Sequence, residues 1–233
     1  MKKILLIFIS VILLASCENR DEKIQNAVSQ ELKGVLYDFE SYEPIKTKVD
    51  SAYSSPYIDP DVKALMLSMV QPMQELEKAK HDYNTALSNV ALWDRSYGSS
   101  FARQQRKEAI AKRDAAKLYI QQLQAQLISD VKALYTRIKD YRTKEGKFIG
   151  WLVTQRYKYK TEYGHPAFGD GVFVINKDLT ECVFYMSDEE YKALCLLVDH
   201  LLSIPDDTFL KKIEDINILD YLKNPLHIHQ SAT

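Results

Sequence analysis

Apolar residues recur along this chain at several distinct spacings, and each spacing predicts a different element. Between Asp21 and Leu36, Ile24, Val28, Leu32 and Val35 fall at steps of four, four and three, which is one stripe of an amphipathic helix. Asp38-Phe39-Glu40-Ser41-Tyr42-Glu43-Pro44-Ile45 then carries turn chemistry, and Ile45-Lys46-Thr47-Lys48-Val49 alternates as a short, half-exposed strand does. A helix start follows at Tyr57-Ile58-Asp59-Pro60-Asp61: Asp59 can cap free amides, Pro60 suits the first helical position, and Asp61 complements the helix dipole. From there Leu65, Met69, Pro72, Leu76, Ala79, Tyr83, Ala86, Val90 and Trp93 keep alternating steps of four and three, a heptad seam. Pro72 lacks an amide donor and crowds the preceding turn, so a kink or break is expected near Val70 to Pro72.

Asp94-Arg95-Ser96-Tyr97-Gly98-Ser99-Ser100 reads as a compact turn, with a second helical run from Phe101 to Lys144 beyond it. Leu127, Val131, Leu134, Ile138 and Tyr141 repeat the seam, while Ala109, Ala116, Tyr119 and Leu123 carry it with a shifted phase and smaller residues. Together the runs predict a coiled-coil-like antiparallel hairpin whose shorter arm extends about 50 Å.

After Glu145-Gly146-Lys147 the chain turns aromatic and β-branched. Phe148 to Lys160 places Trp151, Val153, Tyr157 and Tyr159 on one face of a strand; Val172 to Ile175 and Glu181 to Met186 are two more, joined through Asn176-Lys177-Asp178. Ser187-Asp188-Glu189-Glu190 is a capping box, opening a helix that carries Tyr191, Leu194, Cys195, Val198, Leu201 and Leu202 and is closed by Pro205. A last helical stretch is expected around Thr208 to Leu222. The fold class that follows is α+β and mainly helical: a small antiparallel sheet domain, residues 17–58 and 146–224, interrupted by the helical hairpin, residues 59–145, with a frayed tail at 225–233.

The chain start changes the picture most. Lys2 and Lys3 precede an apolar run from Ile4 to Leu14, then Ala15, Ser16 and Cys17. Charge, a short apolar core and small residues make residues 1–16 a secretory signal rather than a membrane span, which needs about 20 apolar residues. Leu14-Ala15-Ser16-Cys17 resembles the lipobox of bacterial lipoproteins. That resemblance implies cleavage before Cys17, diacylation of its sulfur and an envelope protein tethered to a bilayer, with the outer membrane or cell surface ahead of the inner membrane. Asp38-Phe39-Glu40-Ser41-Tyr42, with Gly150-Trp151-Leu152-Val153 and Arg156 to Gly164, resembles a small α+β module of uncharacterised bacterial lipoproteins. Phe39 stands where that module has proline and Thr161 where it has asparagine. The resemblance implies no catalytic signature and is consistent with an interrupted domain.

Composition narrows the partners. Loss of Lys2 and Lys3 with the leader takes 31 basic residues to 29 against 32 acidic, a formal net charge near −3 over 217 residues. Nucleic-acid binding needs a concentrated basic surface, so no nucleic-acid partner is expected. Beyond Cys17 only Cys182 and Cys195 remain, expected as two packed thiols rather than a bridge.

Candidate chemistry is sparse. His227-Ile228-His229 offers two imidazoles where zinc wants three or four ligands, and His81, His165 and His200 lie far away in sequence, so no metal and no cofactor is expected. Asp188-Glu189-Glu190, Asp206-Asp207 and Glu214-Asp215 could pose as acid and base, but helix capping accounts for the first two. No catalytic residue is assigned. The chain reads as a non-catalytic binding or scaffold protein that engages another envelope protein through its hairpin or its sheet. Trp93, Tyr97 and Phe101 at the hairpin turn are the candidate partner-binding residues. Two rivals stand beside it: a hydrolase or inhibitor with a site in the loop-like segment His165 to Gly171, and a spacer whose hairpin self-associates.

Overall fold

A computed structural model of the chain describes residues 20–94, 99–204, 213, 217–219 and 222. The leader, Cys17, Tyr97, most of the expected last helix and the tail with His227 and His229 lie outside them. The architecture is α+β and mainly helical, with one antiparallel sheet. Two compact units divide the chain: residues up to Pro60 with Lys144–Cys195, and Asp61–Thr143 with residues from Leu196 onward.

In the first unit, helix α1 (residues 20–33) turns Ile24, Ala27, Val28 and Leu32 inward, all nearly inaccessible to water. The helix stops at Gly34, and Val35, expected on the same stripe, is exposed just past its end. Strand β1 (Asp38–Tyr53) is far longer than the short strand expected. Its first half, expected as a turn because of Ser41 and Pro44, is paired with the next strand through register shifts on either side of Glu43 and Pro44. An edge position tolerates this, since proline only removes an amide that the ladder can spare.

Strands β2 (Phe148–Lys160), β3 (Pro166–Asn176) and β4 (Cys182–Ser187) complete the order β1-β2-β3-β4, every pair antiparallel. Val153 pairs with Val49 on one side and Phe173 on the other, and Tyr157 faces Gly169 across the β2–β3 ladder. One sheet face, with Val153, Tyr157, Phe173 and Ile175, packs on α1 as a single core. At its centre sits Gln155, 2% exposed and fully bonded. Its amide nitrogen donates to Gln25 Oε1 at 2.8 Å and Thr47 Oγ1 at 2.9 Å, and its oxygen accepts from Tyr42 Oη at 2.6 Å.

Between β3 and β4 the connection is longer than the expected Asn176-Lys177-Asp178 turn. Asn176 Oδ1 accepts from Thr180 N at 2.9 Å, and Leu179 takes the left-handed conformation at φ 60°. The capping box forms as the sequence predicts: Ser187 N donates to Glu190 Oε2 at 3.0 Å and Glu190 N to Ser187 Oγ at 3.3 Å. It opens helix α4 (Asp188–Ser203), within which the boundary between the units falls. On the first unit's side, Tyr191 sets its ring edge-on to Phe184 at 6.4 Å.

In the second unit, helices α2 (Pro60–Asp94) and α3 (Ser100–Lys139) run antiparallel, as three cross-pairs show: Asp61 with Arg137, Glu75 with Tyr119, and Asp94 with Arg106. Ser99 caps α3 by accepting from Ala102 N at 3.0 Å. Met69, Leu76, Ala79, Ala86 and Val90 of the expected seam are buried, and so are Leu123, Leu127, Val131, Leu134 and Ile138. Of the kink or break expected at Pro72, the break does not occur: helix α2 continues through it. Val62, Met66 and Met73 are buried as well, so α2 sinks a broader face than a strict heptad stripe.

Candidate binding groove

At the end of the sheet beyond α1, side chains from four separate parts of the sheet unit enclose a groove of about 630 Å³. Val35, Leu36 and Tyr37 come from the chain leaving α1, and Tyr157, Tyr159, Thr161 and Glu162 from the end of β2. Phe168, Gly169 and Asp170 come from β3, and Tyr185, Ser187, Asp188 and Glu189 from the β4–α4 corner. Its walls are therefore aromatic and its rim is acidic.

Glycine makes the aromatic wall possible. A Cβ on Gly169 would lie 2.6 Å from the Tyr157 ring, and one on Gly171 2.8 Å from the Phe173 ring, so these rings lie flat on bare backbone. Phe173 in turn stacks on Tyr185 at 4.8 Å, and Tyr42 and Tyr159 flank Tyr157 at 5.8 and 5.9 Å. Inside the groove the hydroxyls of Tyr157 and Tyr185 meet at 3.5 Å. Thr161 Oγ1, another lining atom, is buried without a hydrogen-bond partner among the described residues.

Burial pushes both phenols up from their ordinary value. For Tyr185 the hydrogen bond with Tyr157 adds to burial, followed by the Tyr157, Glu190 and Glu31 charges. For Tyr157 the bond to Tyr185 works against burial, which wins. Both stay protonated at neutral pH and serve as hydrogen-bond donors and acceptors rather than bases. On the rim, Lys192 Nζ approaches Asp188 Oδ2 at 2.5 Å, and this pair holds the lysine's affinity for its proton up.

These raised phenols give a stability prediction. Tyr42 and Tyr157 are also pushed up by burial, and Tyr191 to about 12 by burial and then by Cys195. A folded-state value above the unfolded one, near 10 for tyrosine, stabilises the fold fully below that pH and is lost as pH climbs past it. The urea midpoint is thus expected to fall between about pH 9 and about pH 11, with phenolate absorbance at the buried rings appearing only as the circular dichroism of the sheet is lost. Phenolate growth with an unchanged midpoint would contradict it.

The structure redistributes the residues singled out by sequence. His165 to Gly171, expected as a loop, is mostly the first half of β3; only His165 precedes the strand. Gly169 and Gly171 mark ring contacts there rather than a flexible connection. Phe168, Gly169 and Asp170 of that segment do line the groove. Cys182 and Cys195 are half-buried thiols with no disulfide between them, the former donating to Phe184 O at 3.0 Å. At the far end of the hairpin, Trp93 and Phe101 meet edge-to-face at 5.8 Å, and Phe101 keeps 62% of its surface exposed.

Among the described residues no cluster of His, Cys, Asp and Glu is arranged to hold a metal ion, and no helix is long and apolar enough to cross a membrane. Sequence reasoning missed Tyr157, Tyr185 and Glu162 as groove residues. The available signal was Gly169-Asp170-Gly171, alternate glycines on one strand opposite Tyr157. No protein-family model, curated protein or solved structure matches the chain.

Proposed function

We propose that this chain is a lipid-tethered envelope protein that works by binding, and that the aromatic, acid-rimmed groove of its sheet unit receives a cationic segment of another envelope protein. The tether is the acylated Cys17 implied by Leu14-Ala15-Ser16-Cys17. The observation that carries the binding reading is the lining itself. Tyr159 and Tyr185 bring ring surface to it with the buried Tyr157 behind them, while Glu162 and Glu189 carry carboxylates beside them and Asp188 is paired with Lys192. A guanidinium or ammonium group stacks on such rings and pairs with such carboxylates, and two protonated phenols can fix a peptide carbonyl between them.

A second surface of similar character is the hairpin end. Phe101 and Leu92 are exposed there beside Trp93, and exposed aromatic anchors are what partner surfaces favour.

One photo-crosslinking experiment in native membranes separates the two. A photoreactive phenylalanine analogue at Tyr37 is expected to trap one discrete envelope protein, and charge reversal by Glu162→Lys with Glu189→Lys is expected to reduce that product roughly tenfold or more. The same analogue at Phe101 is expected to be indifferent to the reversal. A product at Phe101 alone moves the function to the hairpin end, and a Tyr37 product untouched by charge reversal rejects the cationic partner.

A further inference from the structure

The opposite end of the sheet unit carries a second aromatic cluster that the groove does not use. Tyr53 and Phe148 meet edge-on at 6.0 Å, and Phe148 meets Trp151 at 5.6 Å. Cations sit on two of these rings: the Arg20 guanidinium lies 5.1 Å from the Trp151 ring and Lys177 Nζ 5.9 Å from that of Phe148. Tyr53 remains 55% exposed, and Phe148 and Trp151 are only half-buried.

A regular strand would send Phe148 and Trp151 to opposite faces, because their separation is odd. Gly150 prevents this. Its φ of 152° and the register shift between Ala52 and Tyr53 bend the start of β2, so that Phe148 comes onto Trp151. The backbone is built to gather these rings at one end.

We infer that this Tyr53–Phe148–Trp151 end rests in the headgroup region of the bilayer to which the chain is tethered. The inference builds on the lipid-anchor reading of Cys17. Only Glu18 and Asn19 separate Cys17 from Arg20, so the chain between them reaches at most about 11 Å. Arg20 opens α1 and lies on Trp151, so an acylated Cys17 holds this end of the unit against lipid rather than the groove end.

Composition fits the same occupant. Tyrosine and tryptophan concentrate at membrane interfaces, where an apolar ring with a polar edge sits at headgroup depth. Arginine and lysine over the ring faces place their charges where phosphates lie, and Arg20 is held in position by Asp21 Oδ1 at 3.2 Å.

The test uses the full native product in a Trp93→Phe background, which leaves Trp151 as the sole tryptophan. Reconstituted in phosphatidylcholine–phosphatidylglycerol vesicles, Trp151 is expected to be quenched by lipids spin-labelled near the headgroup and shielded from iodide. Tyr53→Asp with Phe148→Asp is expected to lower the docked-to-undocked ratio roughly tenfold or more.

Two results overturn the inference. One is a Trp151 as open to iodide in vesicles as in detergent, with no spin-label quenching. The other is shielding in native membranes that vanishes in pure lipid vesicles, which assigns the face to a protein. Intact mass of the same sample reads the tether separately: an unmodified Cys17 with a quenched Trp151 removes the tether alone, and an acylated Cys17 with an unquenched Trp151 removes the docking alone.

Discussion

Replacing Gly150 by alanine is expected to destabilise the sheet unit by about 3–5 kcal/mol. An added Cβ would lie 1.9 Å from the Ile175 carbonyl oxygen, and that contact is with backbone, so no side-chain rotation can relieve it. The substitution also forces an L side chain into a φ of 152°, which alanine rarely adopts. Position 150 pairs with Ala52 on one strand and Asn176 on the other, so any relaxation moves two ladders together. Denaturant unfolding followed by circular dichroism measures the loss. Gly164→Ala serves as the reference, since its φ of 75° is strained but nothing lies within 4 Å of the added carbon, and about 1 kcal/mol is expected there. Equal losses at the two positions would mean that the clash with Ile175 relaxes freely.

The second large effect is expected at Gln155. Truncation to alanine removes one side chain that bonds to three others, leaving Tyr42 Oη without its acceptor, Gln25 Oε1 without a donor and Thr47 Oγ1 with one donor fewer. Gln25 Nε2 still donates to Thr47 at 2.8 Å, so that part of the network survives. Each stranded polar group costs about 1–3 kcal/mol, and a cavity term adds to this; partial solvation of Tyr42 reduces it, for about 3–4 kcal/mol in all. The sign of the coupling is the sharper test. Gln155→Leu combined with Tyr42→Phe removes both partners of the shortest bond and is expected to be at least about 1 kcal/mol less damaging than the two single changes added together. Strict additivity would show that the hydrogen bonds carry no shared stabilisation.

Sequence and structure agree where a local pattern suffices. The seams of α2 and α3 were legible because heptad spacing specifies a buried face without knowledge of what lies opposite, and Ser187 with Glu190 was legible because a capping box is complete within four residues. Pro72 does not break its helix because its cost is local while its compensation is not: it is buried in a face shared with Met69, Met73 and Leu76 over a 35-residue helix. Pro44 and Ser41 misled for a related reason. Turn propensity registers their missing donor and short polar side chain, whereas Ser41 Oγ in fact accepts from Lys160 N at 2.7 Å and ties the irregular part of β1 to β2. Gly169 and Gly171 read as loop residues until the rings lying on them are seen. The groove itself could not be read in advance, because residues 35–37, 157–162, 168–170 and 185–189 become neighbours only through the β1-β2-β3-β4 order and the placement of α1.

The irregular outer strand has a consequence for a protein concentrated on a surface. β1 lies at one margin of the sheet and is 16 residues long, the kind of open border onto which another copy could zip. Pro44 withholds an amide from that border, the shifts around Glu43 and Pro44 break its repeat, and Lys46, Lys48 and Asp50 place charged side chains along it. Were the proposed tether to crowd copies in two dimensions, this border would resist their merging edge to edge into an extended aggregate.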